Sequence, residues 1–296
     1  MDSPFIAAGL PVALAVTMLG LGLGLTTADF RRVVAYPRTV MIALGCQTVL
    51  LPALCFVLVV ALELPPASAV GMMLLAASPG GTTANLYSHL FGGHVALNVT
   101  LTAVNSILAI VTLPIVVNLS AAYFTDDAAG LGLQFGKVLQ IFAIVLIPVA
   151  IGMAVRARSP RFAGRLDRPV RVLSVAVLAA ATAGAVLAER DNLAAYFAAV
   201  GVAVVIFNVA SIAIGYGVPR LVGADRPASI AVGMEIGIHN STLAITIAIS
   251  PTLLGNTEMA VPAAVYGIVA IFTAVAFGVL AGRRRADEAP ALQRRA

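Results

Sequence analysis

The chain has 296 residues, a formal net charge of +5 and a 60% share of hydrophobic residues, while charged residues supply only 10%. A soluble domain carries about 25% charged residues to wet its surface, and a disordered chain carries more charge still with less apolar content. Both classes are excluded, and the composition is that of an integral membrane protein.

Crossing the hydrocarbon core as a helix takes about 20 mostly apolar residues. In chain order, such stretches fall at 4–27, 39–62, 67–88, 95–120, 134–155, 171–188, 193–217, 227–250 and 260–282. The third and fourth come from one run, Leu64–Thr125, of 62 residues without Asp, Glu, Lys or Arg. It divides at the polar turn Ser88–His94, in which His89 and His94 read as solvated loop residues. The eighth stretch contains a single acid, Glu235. The expectation is an all-α membrane protein of about nine helices in one transmembrane domain, 1–296, with a tail at 283–296. Continuous Leu, Val, Ala and Ile runs lack the alternation of a membrane β-barrel. Cys46 and Cys55 lie in an apolar run and read as small buried hydrophobes.

With nine spans, one side collects Arg31, Arg32, Arg38, Arg156, Arg158, Arg161, Arg165, Arg168, Arg171, Arg220, Arg226, Arg283, Arg284, Arg285, Arg294 and Arg295. That is 16 of the 18 basic residues, with Lys137 and Arg190 opposite. The positive-inside rule then puts the N-terminus outside and the C-terminus in the cytoplasm, with the protein in the cell's inner (plasma) membrane. The basic excess is an orientation signal, and no aromatic-interleaved basic stripe suggests nucleic acid. Membrane lipid is the expected surrounding partner, and no obligatory protein partner is implied.

Two spans carry what a lipid-facing helix avoids. The third contains Ala77-Ser78-Pro79-Gly80-Gly81-Thr82-Thr83-Ala84-Asn85, where proline and two glycines break a helix. The eighth contains Met234-Glu235-Ile236-Gly237-Ile238-His239-Asn240-Ser241, placing acid, imidazole, amide and hydroxyl at mid-depth. Each break lies in the penultimate span of its half. Paired interruptions of this kind point to a transporter built from inverted repeats, the first half short of one helix at its N-terminus.

Glu235 is either a structural carboxylate or a ligand for a cation or proton. Asn85 is a ligand or a helix cap. Gln47, Asn98 and Thr102 are ligands or interhelical glue. His239 is a satisfied core histidine, a proton carrier or a ligand. Asn105, Asn118, Asn208 and Tyr216 are polar enough to line a cavity, but nothing singles them out. Oxygen-rich donors suit a hard monovalent cation such as Na⁺, and unwound backbone adds carbonyls. These residues describe an ion-coupled secondary transporter without naming its substrate.

At the same residues the chain resembles the bile acid:sodium symporter family, as a bacterial member. The resemblance rests on Gly20–Gly24 with Ala28-Asp29-Phe30, Ser78-Pro79-Gly80-Gly81 with Asn85, Gly93–Leu97, and Glu235 through Ser241. It implies panel and core domains, the panel formed by the first, fifth and sixth spans, with two broken helices crossing at the ion sites. It implies one Na⁺ site from Ala84, Asn85, Asn98, Thr102 and Glu235. A second would use Gln47, Glu235, backbone oxygens of Ile236 and Ile238, and His239. Pro79, Gly80, Gly81, Thr82, Thr83, Asn240 and Ser241 are the implied candidates for a substrate cavity. Ala84 departs from the family serine, Asn98 from a small hydroxyl residue, and His239 from a glutamine. One Na⁺, two, or Na⁺ with H⁺ are all compatible with these residues.

The function expected is symport of a small organic anion with Na⁺ by alternating access, or else a proton-coupled or uncoupled carrier. An intramembrane enzyme would need paired mid-membrane aspartates, a His-Glu-x-x-His helix or a serine with a base. None is present, so no catalytic residue is expected.

Overall fold

The computed structural model describes residues 15–16, 18–20, 22–24, 26, 36–125, 135–166, 169–170, 172–173, 176, 193–251 and 253–293. Most of the expected first and sixth spans, residues 28–30, and Arg31, Arg32 and Arg190 lie outside these. Among the described residues every regular element is a helix. The first four elements are α1 (Pro37–Ala61, with a π-helical turn at Cys46–Leu50), α2 (Pro66–Ala77), α3 (Thr82–Leu90) and α4 (Val95–Phe124). They are followed by α5 (Phe135–Arg158), α6 (Leu193–Leu221), α7 (Arg226–Gly237), α8 (Ser241–Ile249) and α9 (Val261–Gln293).

Among the described residues, four helical stretches are long and apolar enough to cross a membrane: Pro37–Ala61, Val95–Phe124, Val200–Leu221 and Glu258–Ala281. Two more expected spans, 67–88 and 227–250, are pairs of half-helices, α2 with α3 and α7 with α8. Several helices outrun the hydropathy windows; α5 continues to Arg158 and α9 to Gln293. A charge ends a membrane window without ending a helix. Arg156 and Arg158 in the last turn of α5 even favour the negative end of its dipole.

Along α4, Ile107, Val111, Ile115 and Leu119 form an exposed stripe at four-residue spacing. Asn98, Thr102, Asn105 and Ala109 on another face are buried. Polar residues inside and aliphatic residues outside is the arrangement for a helix solvated by lipid. Close packing comes from small residues. In α7, Gly233 and Gly237 form a Gly-x-x-x-Gly face, and a Cβ on Gly237 would collide with Ile212 of α6. Gly22 and Gly152 bring Leu19, Gly22 and Leu23 into backbone contact with α5, and Gly20 faces Val170, just before the expected sixth span.

Ends are set by short-range chemistry. Pro37 and Pro66 stand at the starts of α1 and α2, where no N–H is missed. Asp225 caps α7, its Oδ1 accepting the Ala228 N–H at 2.8 Å. Asp225→Ala removes that acceptor and should cost about 1 kcal/mol. A lowered thermal unfolding midpoint in detergent, with an unchanged response to cations, is the expected reading. His94 is a cap rather than a solvated loop residue: Nδ1 accepts from Leu97 N at 3.3 Å and Nε2 faces the Tyr36 hydroxyl at 3.2 Å. Its backbone N–H donates to Pro227 O at 2.9 Å, tying the α3–α4 turn to the start of α7.

Candidate functional site: a crossing of two broken helices

The π-helical turn in α1 has a local cause. Pro52 has no N–H for the Thr48 carbonyl, so the ladder widens and Leu51 N–H reaches back to Cys46 O. Gln47 in this turn is buried, 4% exposed. Its Nε2 donates to Ser78 O at 2.9 Å and to Ala76 O at 3.4 Å, at the end of α2.

Beyond Ala77 the chain extends through Ser78, Pro79, Gly80 and Gly81 before α3 begins. Beyond Gly237 it does the same through Ile238, His239 and Asn240 before α8. The two extended pieces pair. Gly81 N–H donates to Ile238 O at 2.7 Å and Asn240 N–H to Pro79 O at 2.8 Å, bracketing an antiparallel bridge between Gly80 and His239. Backbone freed from both helices is thereby satisfied at a depth where lipid offers no partner. Two helix C-termini and two N-termini meet at one point, presenting partial negative and partial positive charge side by side.

Glu235, fully buried, lies in the last full turn of α7. Its Oε2 accepts from Thr102 Oγ1 at 2.6 Å. Thr102 in turn accepts from Asn85 Nδ2 at 3.4 Å. Asn85 therefore sits in the first turn of α3 as a donor to α4 and does not cap the helix. Asn98 Nδ2 donates to Ala231 O at 2.7 Å, one turn before Glu235. His239 Nδ1 lies 2.9 Å from the Tyr266 hydroxyl, which donates to Gly237 O at 2.7 Å; Asn208 Nδ2 donates to the same carbonyl at 3.0 Å.

A single pattern runs through these side chains. Each amide has spent its N–H on the protein and kept its oxygen bare. Gln47 Oε1, Asn85 Oδ1, Asn98 Oδ1, Asn208 Oδ1 and Glu235 Oε1 are buried without a hydrogen-bond partner, as is His239 Nε2. Buried polar atoms are nearly always paired, and a cluster of unpaired acceptors is one that a bound cation would satisfy. Among the described residues no three of His, Cys, Asp and Glu come together. The donors are chiefly neutral oxygens around one carboxylate, which suits a hard ion of charge +1.

The other expected residues are placed as follows. Ala84 is fully buried and brings no oxygen. Ile238 O already accepts from Gly81, and Ile236 lies in the last turn of α7, past the last helical carbonyl with an onward partner, Met234 O. Gly80 packs directly on the Glu235 carboxylate, so it belongs to the crossing itself. Thr82 and Thr83 open α3, and Thr83 is exposed. Asn240 caps α8, accepting from Leu243 N at 3.0 Å, and Ser241 opens that helix, half-buried.

Three residues left unselected by the sequence, or not considered, belong here. Asn208 and Tyr266 hold the end of α7. Asn105 is buried with both side-chain amide atoms unpaired, and it lines a narrow recess with Gln47, Thr48, Pro52, Ala77 and Pro79. The spacing Asn98, Thr102, Asn105 places all three on one face of a helix, and that periodicity was the available signal for Asn105. Nothing local marks Tyr266.

A family model described as the Sodium Bile acid symporter family matches residues 11–196. Over 264 residues the chain is 30% identical to the probable sodium/metabolite cotransporter BASS1, chloroplastic, of Arabidopsis thaliana, covering 87% of this chain and 62% of that protein. It is 28% identical over 264 residues to the uncharacterized sodium-dependent transporter YocS of Bacillus subtilis (strain 168), covering 89% and 80%. Human sodium/bile acid cotransporter 4 is 30% identical over 254 residues, covering 83% and 57%. The chain thus spans less than two thirds of the length of the plant and human relatives.

Proposed function

The chain belongs to the sodium bile acid symporter family, and from that premise we propose that it is a secondary transporter coupling Na⁺ to the movement of a small organic anion. The observation that carries this reading is the set of buried, unpaired oxygens of Gln47, Asn85 and Asn98, each with its amide N–H already donated, around Glu235. Na⁺ bound by Glu235 and Asn85, with Thr102 and Asn98, would bridge α3, α4 and α7 and hold the two breaks together. The starts of α3 and α8 offer positive dipole ends to an anion. Thr82, Thr83, Asn240 and Ser241 stand there. Residues 18–24, α5 and the chain around Val170 form the panel against which the core moves in alternating access. The N-terminus lies outside and the C-terminus in the cytoplasm of a bacterial inner membrane.

The test needs no knowledge of the substrate. Purified protein is unfolded thermally in NaCl and in choline chloride at equal ionic strength. Na⁺ at ten times its dissociation constant stabilises the folded state by about 1.4 kcal/mol. A rise in the midpoint specific to Na⁺ is expected, and indifference to the cation would overturn the sodium reading. A second reading, in which a proton takes one ion's place, is favoured by Ala84, which supplies no oxygen, and by nitrogen at His239. It requires uptake driven by a pH gradient in Na⁺-free buffer.

A further inference from the structure

Tyr266, on α9, is fully buried, and among the described residues its hydroxyl is the one hydrogen-bonded to the His239 ring. That hydroxyl has one proton. Gly237 O, at 2.7 Å, can only accept, so the proton is committed there. Toward His239 the oxygen then offers a lone pair, and at 2.9 Å the ring atom facing it must bring the hydrogen. Nδ1 is therefore the N–H of a neutral imidazole, and Nε2 carries the lone pair.

Two aromatic neighbours hold the ring plane. Phe207 lies against it with centroids 5.3 Å apart at 46°, and Tyr266 meets it edge-on at 5.4 Å and 89°. The backbone of His239 is pinned by its bridge to Gly80. Asn208 donates to the same Gly237 carbonyl, which keeps that oxygen in place and filled. Nε2 is buried and has no partner of its own.

We propose that Tyr266 is a positioning residue for the coupling cation: it locks His239 in the Nδ1–H tautomer and so makes the Nε2 lone pair available as a ligand beside Gln47 and Glu235. This rests on the sodium reading above. With the hydrogen on Nε2 instead, an N–H dipole would face a cation and repel it. A glutamine at 239 would need no such help, because its amide offers an oxygen whatever Tyr266 does.

Full-length protein in detergent tests this in two ways. With ¹⁵N-labelled histidine, the ring signals of His239, assigned by their loss in His239→Gln, report the tautomer directly; Nδ1–H is expected in wild type and its loss in Tyr266→Phe. In parallel, Na⁺ is titrated against thermal stability. An outer partner that orients a ligand commonly changes metal affinity 10- to 100-fold. Tyr266→Phe should raise the half-maximal Na⁺ concentration roughly tenfold, taking the low end of that range. His239→Gln and the double variant His239→Gln/Tyr266→Phe should share one half-point, since Tyr266 acts only through the imidazole. Tyr266→Phe with the wild-type half-point would overturn the proposal alone, as would an Nε2–H signal in wild type. So would a double variant impaired relative to His239→Gln. A wild type indifferent to Na⁺ would overturn the sodium reading and this proposal with it.

Discussion

Glu235→Gln should abolish the effect of the solution cation on stability. In wild type the carboxylate is fully buried, bonded on one side by Thr102 and bare at Oε1, amid other bare acceptors. Among the described residues no Lys or Arg side chain pairs with it, and the proposed bound cation would supply the opposing charge. Leaving a buried charge uncompensated costs several kcal/mol. In choline chloride the glutamine variant should therefore unfold no earlier than wild type. In NaCl the order should invert, because wild type gains about 1.4 kcal/mol at ten times its dissociation constant and the variant gains none. Uptake into vesicles driven by a Na⁺ gradient should fall to background. A variant that keeps the Na⁺-specific rise would remove Glu235 from the ion site.

Gly80→Ala attacks the same place from the other break. A Cβ at Gly80 would collide with the Glu235 carboxylate and with the Glu235 carbonyl oxygen. The carboxylate could move only by leaving Thr102, and the carbonyl only by unwinding the end of α7. Overpacking of this kind costs about 1–3 kcal/mol, and here it also displaces the carboxylate proposed to bind the ion. The expected result is a lowered midpoint together with a weakened Na⁺ response. Gly81→Ala is the comparison. Its Cβ would lie 3.3 Å from His239 O and Ile238 O, tight but within reach of a small adjustment. It should lose much less on both measures. Equal behaviour of the two variants would contradict the crossing geometry.

Much of this molecule is legible in one dimension because lipid imposes rules that act locally. A span must be apolar for its whole length, and basic residues must stay on one side. A polar interruption survives only where protein or ion satisfies it. Hence the interruptions at Pro79–Gly81 and around Gly237 could be read directly, and Glu235 stood out as an acid with no local partner. Exceptions arise where a helix outlives its hydropathy window, as α9 does, since charge and backbone breaks are different signals. Gln47 could be suspected from its apolar surroundings, but its inward position depends on the π turn that Pro52 induces. His94 looked like loop polarity because its Tyr36 contact and its backbone bond to Pro227 join parts of the chain far apart in sequence.

Residue order alone dictated a membrane-embedded helical chain with two defects at matching places and one acid beside the second. Whether those defects meet is a matter of folding, because neither break can satisfy its own backbone; Gly81 and Asn240 find acceptors only across the bridge. The same holds for chemistry. That Gln47, Asn85 and Asn98 present oxygen rather than nitrogen follows from which carbonyls and hydroxyls stand behind them, supplied by other helices. The state of the His239 ring is set by a tyrosine on α9. Amides and imidazoles are donors and acceptors at once, so their role at a site is assigned by the partner that takes the other half.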